Sequence, residues 1–316
     1  MLTLGRLRGL QEIAGADGRF TMVAIDQRLS LARILSPDDP GAVPFELLRD
    51  VKLDLCRAFT PEASAVLIDV QYGLGDALAS GAFAGGCGLL VAVEEGPSER
   101  ARIPEGWGVE RIKRCGASAV KLLVLYNPRD TGAAAHQREL VKRVVEDCLR
   151  FDIPSVVESV SYGLGSPSEK PECVLRTAEE LIPLGMDLYK AEFPTDLRAE
   201  PDEDRAADWC RRLDEVCGTT PWVILSAGVA MDVFVRQVEI ACRNGASGVL
   251  AGRALWQEAV RESDPAARLS RLRVESVANF RAVAELVRGH ATPWTVKLPV
   301  AELVQPIGEG WFQAPI

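Results

Sequence analysis

The chain has 316 residues, 47% of them hydrophobic and 26% charged, with a net charge of −9. That composition supports a large core and excludes general disorder. With no basic stripe to offset the acidic balance, it also argues against a nucleic-acid partner and against an anionic membrane surface.

The first 18 residues carry Arg6, Arg8, Glu12 and Asp17, so they lack the apolar stretch of a signal peptide. The longest uncharged run, 77–93, contains four glycines and is too short to span a bilayer. Eight cysteines are scattered without a C-x-x-C pair, which suits reduced, mostly buried thiols and a cytoplasmic location. Only two histidines occur, His136 and His290, so a zinc site built on three imidazoles is impossible. No metal or cofactor is expected.

A helix is predicted over 4–13, followed by a first apolar run at 20–26. Similar runs follow at 65–72, 86–94, 119–126, 153–160, 187–193, 222–228 and 248–254, starting on average about 33 residues apart. Near-continuous apolarity suits strands covered on both faces. Between them, three- and four-residue apolar spacing predicts helices over 45–59, 137–151, 174–184, 206–216 and 233–244. The interval from the second run to the third leaves room only for a short helix. Eight strand–helix units favour an α/β fold, a single (β/α)8 TIM barrel with an N-terminal helix and a C-terminal tail, over an open doubly wound sheet. The expected division is a barrel over 1–289 and an extension over 290–316. Barrels of this kind often assemble, so a homo-oligomer is expected.

Charges interrupt these runs near their C-terminal ends: Asp26, Asp69, Glu94, Lys121, Glu158, Lys190 and Arg253. A charge in a buried strand is costly unless paired, and the C-terminal strand ends of a barrel face its active-site mouth. The set therefore points to one shared polar site. A lysine such as Lys190, held in an apolar interior near other cations, is more readily neutral and nucleophilic and can form a Schiff base with a ketone. The alternative is a lysine neutralising Glu192 or Glu158. Schiff-base chemistry needs a proton shuttle, for which Glu158 is placed, and Lys121 can orient a substrate oxygen. Either residue could instead be a plain salt-bridge partner. Ser226, Gly228, Gly252 and Arg253 end the last two runs, where barrels commonly bind phosphate. Asp26, Gln27 and Arg28 offer a carboxylate, an amide and a guanidinium for sugar hydroxyls and a second anion.

The segments AIDQR (24–28), DVQYGL (69–74), GASAVKLLVLY (116–126), Glu158 with Tyr162, DLYKAEFP (187–194), PWVILSAGV (221–229) and GASGVLAGRALW (245–256) resemble the class I tagatose-1,6-bisphosphate aldolase family. They also resemble its relatives, the sulfofructose-1-phosphate aldolases. The resemblance implies metal-free retro-aldol cleavage of a phosphorylated ketose. It implies Lys190 as the Schiff-base lysine and Glu158 as the proton shuttle. Lys121, Asp26 and Gln27 would line the site near the dihydroxyacetone phosphate moiety, and Ser226, Gly228, Gly252 and Arg253 would hold the phosphate. Loops 162–172 and 199–208 look shorter than in tagatose enzymes, which leaves the distal group open between phosphate, sulfonate and a neutral group. A barrel that binds sugar phosphates without turnover is the alternative of another class.

Overall fold

A computed structural model describes residues 2–298. Eight parallel strands close into a barrel in chain order: β1 (Phe20–Ala24), β2 (Ala65–Ile68), β3 (Gly88–Ala92), β4 (Ala119–Tyr126), β5 (Ser155–Ser161), β6 (Leu188–Ala191), β7 (Trp222–Ile224) and β8 (Gly248–Ala251). Each lies within, or within one residue of, an expected run. Closure pairs Met22 with Leu250 and Val23 with Ala251. It depends on Gly248, whose φ is +141° and where a Cβ would stand 2.0 Å from the Phe20 carbonyl oxygen.

The helices are α1 (Leu4–Ile13), α2 (Leu29–Leu35), α3 (Phe45–Phe59), α4 (Leu74–Ala79), α5 (Val109–Arg114), α6 (Thr131–Arg150), α7 (Lys170–Leu181), α8 (Glu203–Cys217), α9 (Met231–Arg243), α10 (Arg253–Val260), α11 (Pro265–Arg271), α12 (Val277–His290) and α13 (Trp294–Lys297). The expected helices at 4–13 and 45–59 have the observed bounds. Sequence periodicity misses α2, α5, α10, α11, α12 and α13. Several of these are only two turns long, too short for a 3.6-residue period to show.

Strand side chains alternate between two apolar compartments. Outward residues such as Val23, Val66, Val91, Val120, Val157, Ile224 and Val249 pack under the helices. Inward residues Met22, Ala24, Leu67, Leu90, Ala92, Ala119, Val156, Leu188, Val223 and Leu250 plug the barrel. Leu10 and Ile13 of α1 and Trp294 complete this inner cluster from below. The Trp294 N–H donates to Gly18 O at 2.9 Å and the Thr292 N–H to Ala246 O at 3.0 Å, so 291–298 docks under the barrel. Of the expected extension over 290–316, residues 299–316 lie outside the described residues. No helix among the described residues is long and apolar enough to cross a membrane.

Candidate active site

The functional layer follows from strand periodicity. Two residues beyond the plug on five strands stand Asp26 after Ala24, Glu94 after Ala92, Lys121 after Ala119, Glu158 after Val156 and Lys190 after Leu188. The same alternation that turns the plug inward turns these charges inward, one layer closer to the mouth. Register brings them level: Ala92 pairs with Lys121, Leu123 with Glu158, and Glu158 with Lys190.

They form one chain of contacts. The Lys190 Nζ lies 3.0 Å from Glu158 Oε2, and the Lys121 Nζ lies 3.0 Å from the same oxygen. Lys121 also reaches Asp26 at 2.7 Å and Glu94 at 3.2 Å. Its ammonium thus lies among three carboxylates. Arg28 donates to the Glu94 carbonyl at 3.0 Å, with its guanidinium 3.5 Å from the Glu94 carboxylate. These residues line a pocket of about 810 Å³ together with Gln27, Arg33, Glu192, Ser226, Gly252 and Arg253.

Electrostatics fix the protonation of the cluster. Burial opposes ionisation of Asp26 and Glu158, yet the ammonium groups of Lys121 and Lys190 hold both carboxyls below the usual carboxylate range. Burial also opposes a charged Lys121, but Asp26, Glu158 and Glu94 push its ammonium well above the ordinary lysine range. Glu94 goes the other way, pushed up chiefly by burial. Since Asp26 and Glu158 are depressed in the folded protein, their stabilisation is present above their ordinary values of 3.8 and 4.5 and is lost as pH falls below them. Urea midpoints measured from neutrality down to about pH 3 should therefore fall once the pH drops below those ordinary values. Asp26→Asn should flatten that drop, and parallel curves for the two proteins would contradict the assignment.

The last two strand ends supply an anion cradle. The Gly252 N–H donates to the buried Ser226 Oγ at 3.3 Å. A Cβ at Gly252 would stand 2.8 Å from both Ala24 O and Gln27 Nε2, so only glycine lets these groups converge. The Arg253 guanidinium lies against Gly228 and has no hydrogen-bond or ion-pair partner among the described residues. Gln27 Oε1 is buried with no partner. An unpaired guanidinium and an orphan acceptor in one pocket are both features a substrate would complete.

One expected member of the shared site falls elsewhere. Asp69 does not line this pocket. The chain turns at Asp69, whose carboxylate accepts from the Tyr72 N–H at 2.8 Å and pairs with Lys52 of α3, both side chains fully buried. Lys52 also donates to the carbonyls of Ile25 at 2.6 Å and Gln27 at 2.8 Å, the two residues flanking Asp26. Lys52 lies on the buried face of α3 with Leu48 and Cys56, and the sequence does not single it out. Nor does it single out Arg33, which lines the pocket. Glu192 turns from Lys190 and accepts from the Ser161 N–H at 2.6 Å and its hydroxyl at 2.5 Å. Tyr162 donates to Asp130 at 2.9 Å and is not part of the pocket wall.

Comparison with known proteins gives a consistent picture. Residues 20–258 match the model of the DeoC/LacD family aldolases. The tagatose 1,6-diphosphate aldolase 2 of Enterococcus faecalis is 28% identical over 95% of this chain and 99% of its own length. The tagatose 1,6-diphosphate aldolase of Listeria monocytogenes is 30% identical over 94% of this chain and 95% of its own. Among solved structures, an archaeal fructose 1,6-bisphosphate aldolase superposes with a TM-score of 0.61 at 22% identity, covering 89% of this chain and 98% of that one. A fructose-bisphosphate aldolase from Slackia heliotrinireducens does so with a TM-score of 0.65 at 16% identity, covering 90% of each. Both share the barrel fold.

Proposed function

The chain belongs to the DeoC/LacD family of aldolases, carbon–carbon lyases, and from that premise we propose that it works through a Schiff base on Lys190. The substrate is a ketose 1,6-bisphosphate such as tagatose 1,6-bisphosphate, cleaved reversibly to dihydroxyacetone phosphate and glyceraldehyde 3-phosphate. The observation that carries this reading is the 3.0 Å contact between Lys190 Nζ and Glu158 Oε2 inside the main pocket.

The proton of the Lys190 ammonium passes to Glu158, and the free amine attacks C2 of the ketose. Glu158 returns that proton to the carbinolamine hydroxyl, water leaves, and an iminium remains. The C4 hydroxyl then gives its proton to Glu158 while the C3–C4 electron pair flows into the iminium. The aldehyde departs, the enamine takes the proton at C3, and water releases dihydroxyacetone phosphate from Lys190. Lys121 stays charged and keeps Glu158 anionic between transfers. Ser226, Gly228, Gly252 and Arg253 hold the 1-phosphate with the help of the α10 N-terminus. Gln27 Oε1 accepts a substrate hydroxyl, and Arg28 and Asp26 line the pocket beside it.

The test is borohydride trapping with dihydroxyacetone phosphate, read by peptide mass spectrometry. A reduced adduct on Lys190 is expected. No adduct, with phosphate-ester binding intact, overturns the Schiff-base reading in favour of a barrel that binds without turnover. Parallel cleavage assays with tagatose 1,6-bisphosphate, fructose 1,6-bisphosphate and sulfofructose 1-phosphate should give the highest kcat/KM for the first. A preference for the sulfonate would reassign the distal group.

A further inference from the structure

Glu94 is 1% exposed and stands two residues beyond the end of β3, yet no step of the Lys190 chemistry uses it. It is held on several sides. Its Oε2 accepts from the Leu123 N–H at 3.1 Å, and its Oε1 lies 3.2 Å from the Lys121 Nζ and 3.5 Å from the Arg28 guanidinium. Arg28 also donates to its carbonyl at 3.0 Å. A carboxylate this deep is costly unless paired, and its pairing leads directly to the reacting groups.

The contacts run in order around the barrel, from Glu94 at the β3 end through Lys121 of β4 and Glu158 of β5 to Lys190 of β6. Asp26 is the third carboxylate on Lys121. Before any proton moves, the cations Arg28, Lys121 and Lys190 face the carboxylates Asp26, Glu94 and Glu158, and the charges balance. Once Glu158 takes the Lys190 proton, neither of those two is charged. Arg28 and Lys121 then face Asp26 and Glu94, and the buried site is balanced again. Without the Glu94 charge, Lys121 would hold Glu158 anionic more firmly, and Glu158 would accept the proton less readily.

The other charges nearby leave this balance in place. On the β2 side Asp69 is paired with Lys52. Glu95 and Arg33 line the same pocket but are exposed to solvent. Glu192 is turned to Ser161 and pairs with Lys170. Burial pushes the Glu94 carboxyl up, against the pull of Lys121 and Arg28, so its charge is most fully present on the alkaline side.

We propose that Glu94 is a positioning residue for the proton transfer between Lys190 and Glu158, acting through Lys121: its charge stands in for that of Glu158 whenever Glu158 is protonated. This rests on the Schiff-base reading of Lys190. The test follows exchange of the C3 hydrogens of dihydroxyacetone phosphate with deuterated water, read by NMR from about pH 6 to about pH 10. That exchange runs through the imine on Lys190 and needs no aldehyde. Glu94→Gln keeps the shape, an acceptor for the Leu123 N–H and the carbonyl that Arg28 holds, and it removes only the charge. Its exchange rate should fall several-fold at the optimum of the parent, with the alkaline limb moved to lower pH by roughly one unit. Glu94→Asp keeps the charge and should lower the rate while leaving that limb in place; it also serves if Glu94→Gln fails to fold by thermal melting. The proposal is overturned if Glu94→Gln exchanges like the parent, if its rate falls equally at every pH, or if Glu94→Asp moves the limb by as much as a unit. Borohydride trapping on the same samples separates the two readings. A parent that gives no adduct on Lys190 overturns the Schiff-base reading and this proposal with it, whereas an adduct together with an unmoved limb in Glu94→Gln overturns this proposal alone.

Discussion

Lys190→Met should abolish cleavage, lowering kcat by about 10⁴-fold or more, because the other pocket amine, Lys121, is held charged by Asp26, Glu94 and Glu158 and cannot take over the electron sink. That is about 5.5 kcal/mol of transition-state stabilisation. The structure also says why this variant should fold. Glu158 keeps its second ammonium, Lys121 at 3.0 Å, so removing Lys190 strands no buried carboxylate. A thermal midpoint close to that of the parent, with no reducible adduct and no turnover, is the expected combination. Residual cleavage within tenfold of the parent would remove Lys190 from the chemistry. Lys190→Arg should be equally inactive, since a guanidinium preserves the charge but forms no imine.

Lys52→Met should have the largest effect on stability. Lys52 and Asp69 are both fully buried, and the lysine also holds the carbonyls of Ile25 and Gln27. Its loss leaves an uncompensated buried carboxylate and two buried acceptors, at a cost of ~3–5 kcal/mol. Calorimetry should show a fall in Tm of about 10 °C. Lys52→Met with Asp69→Leu should recover a good part of it, because replacing both partners removes the stranded charge. If the single variant melts with the parent, the pair is not structural in the way its burial implies. Since the two carbonyls flank Asp26, the surviving enzyme should also show a raised KM.

The barrel was legible because strands buried on both faces write continuous apolar runs, and those runs lie at even spacing. The catalytic layer was legible for a related reason. Lys121, Glu158 and Lys190 interrupt runs that are otherwise apolar, and a charge is conspicuous there. The alternation that turned them inward did not extend to Asp69, because β2 ends at Ile68 and the chain turns at once. Lys52 was hidden differently: an amphipathic helix such as α3 is expected to carry lysines, and only the tertiary fold shows that this one faces the sheet. Arg33 lies on a helix of seven residues, too short to carry a readable period.

The hydrogen bonds of Trp294 to Gly18 and of Thr292 to Ala246 tie the two ends of the described chain together beneath the barrel. This has a consequence for biosynthesis. A chain made from its N-terminus onward carries β1 as an open sheet edge until β8 has emerged, some 230 residues later. The inner plug is completed later still, when Trp294 leaves the ribosome. Throughout that interval the nascent chain presents unpaired strand edges and an unsealed apolar interior. Chaperone dependence should therefore be concentrated before the last helical segment is released, and a chain stalled short of Trp294 should aggregate even with all eight strands already made.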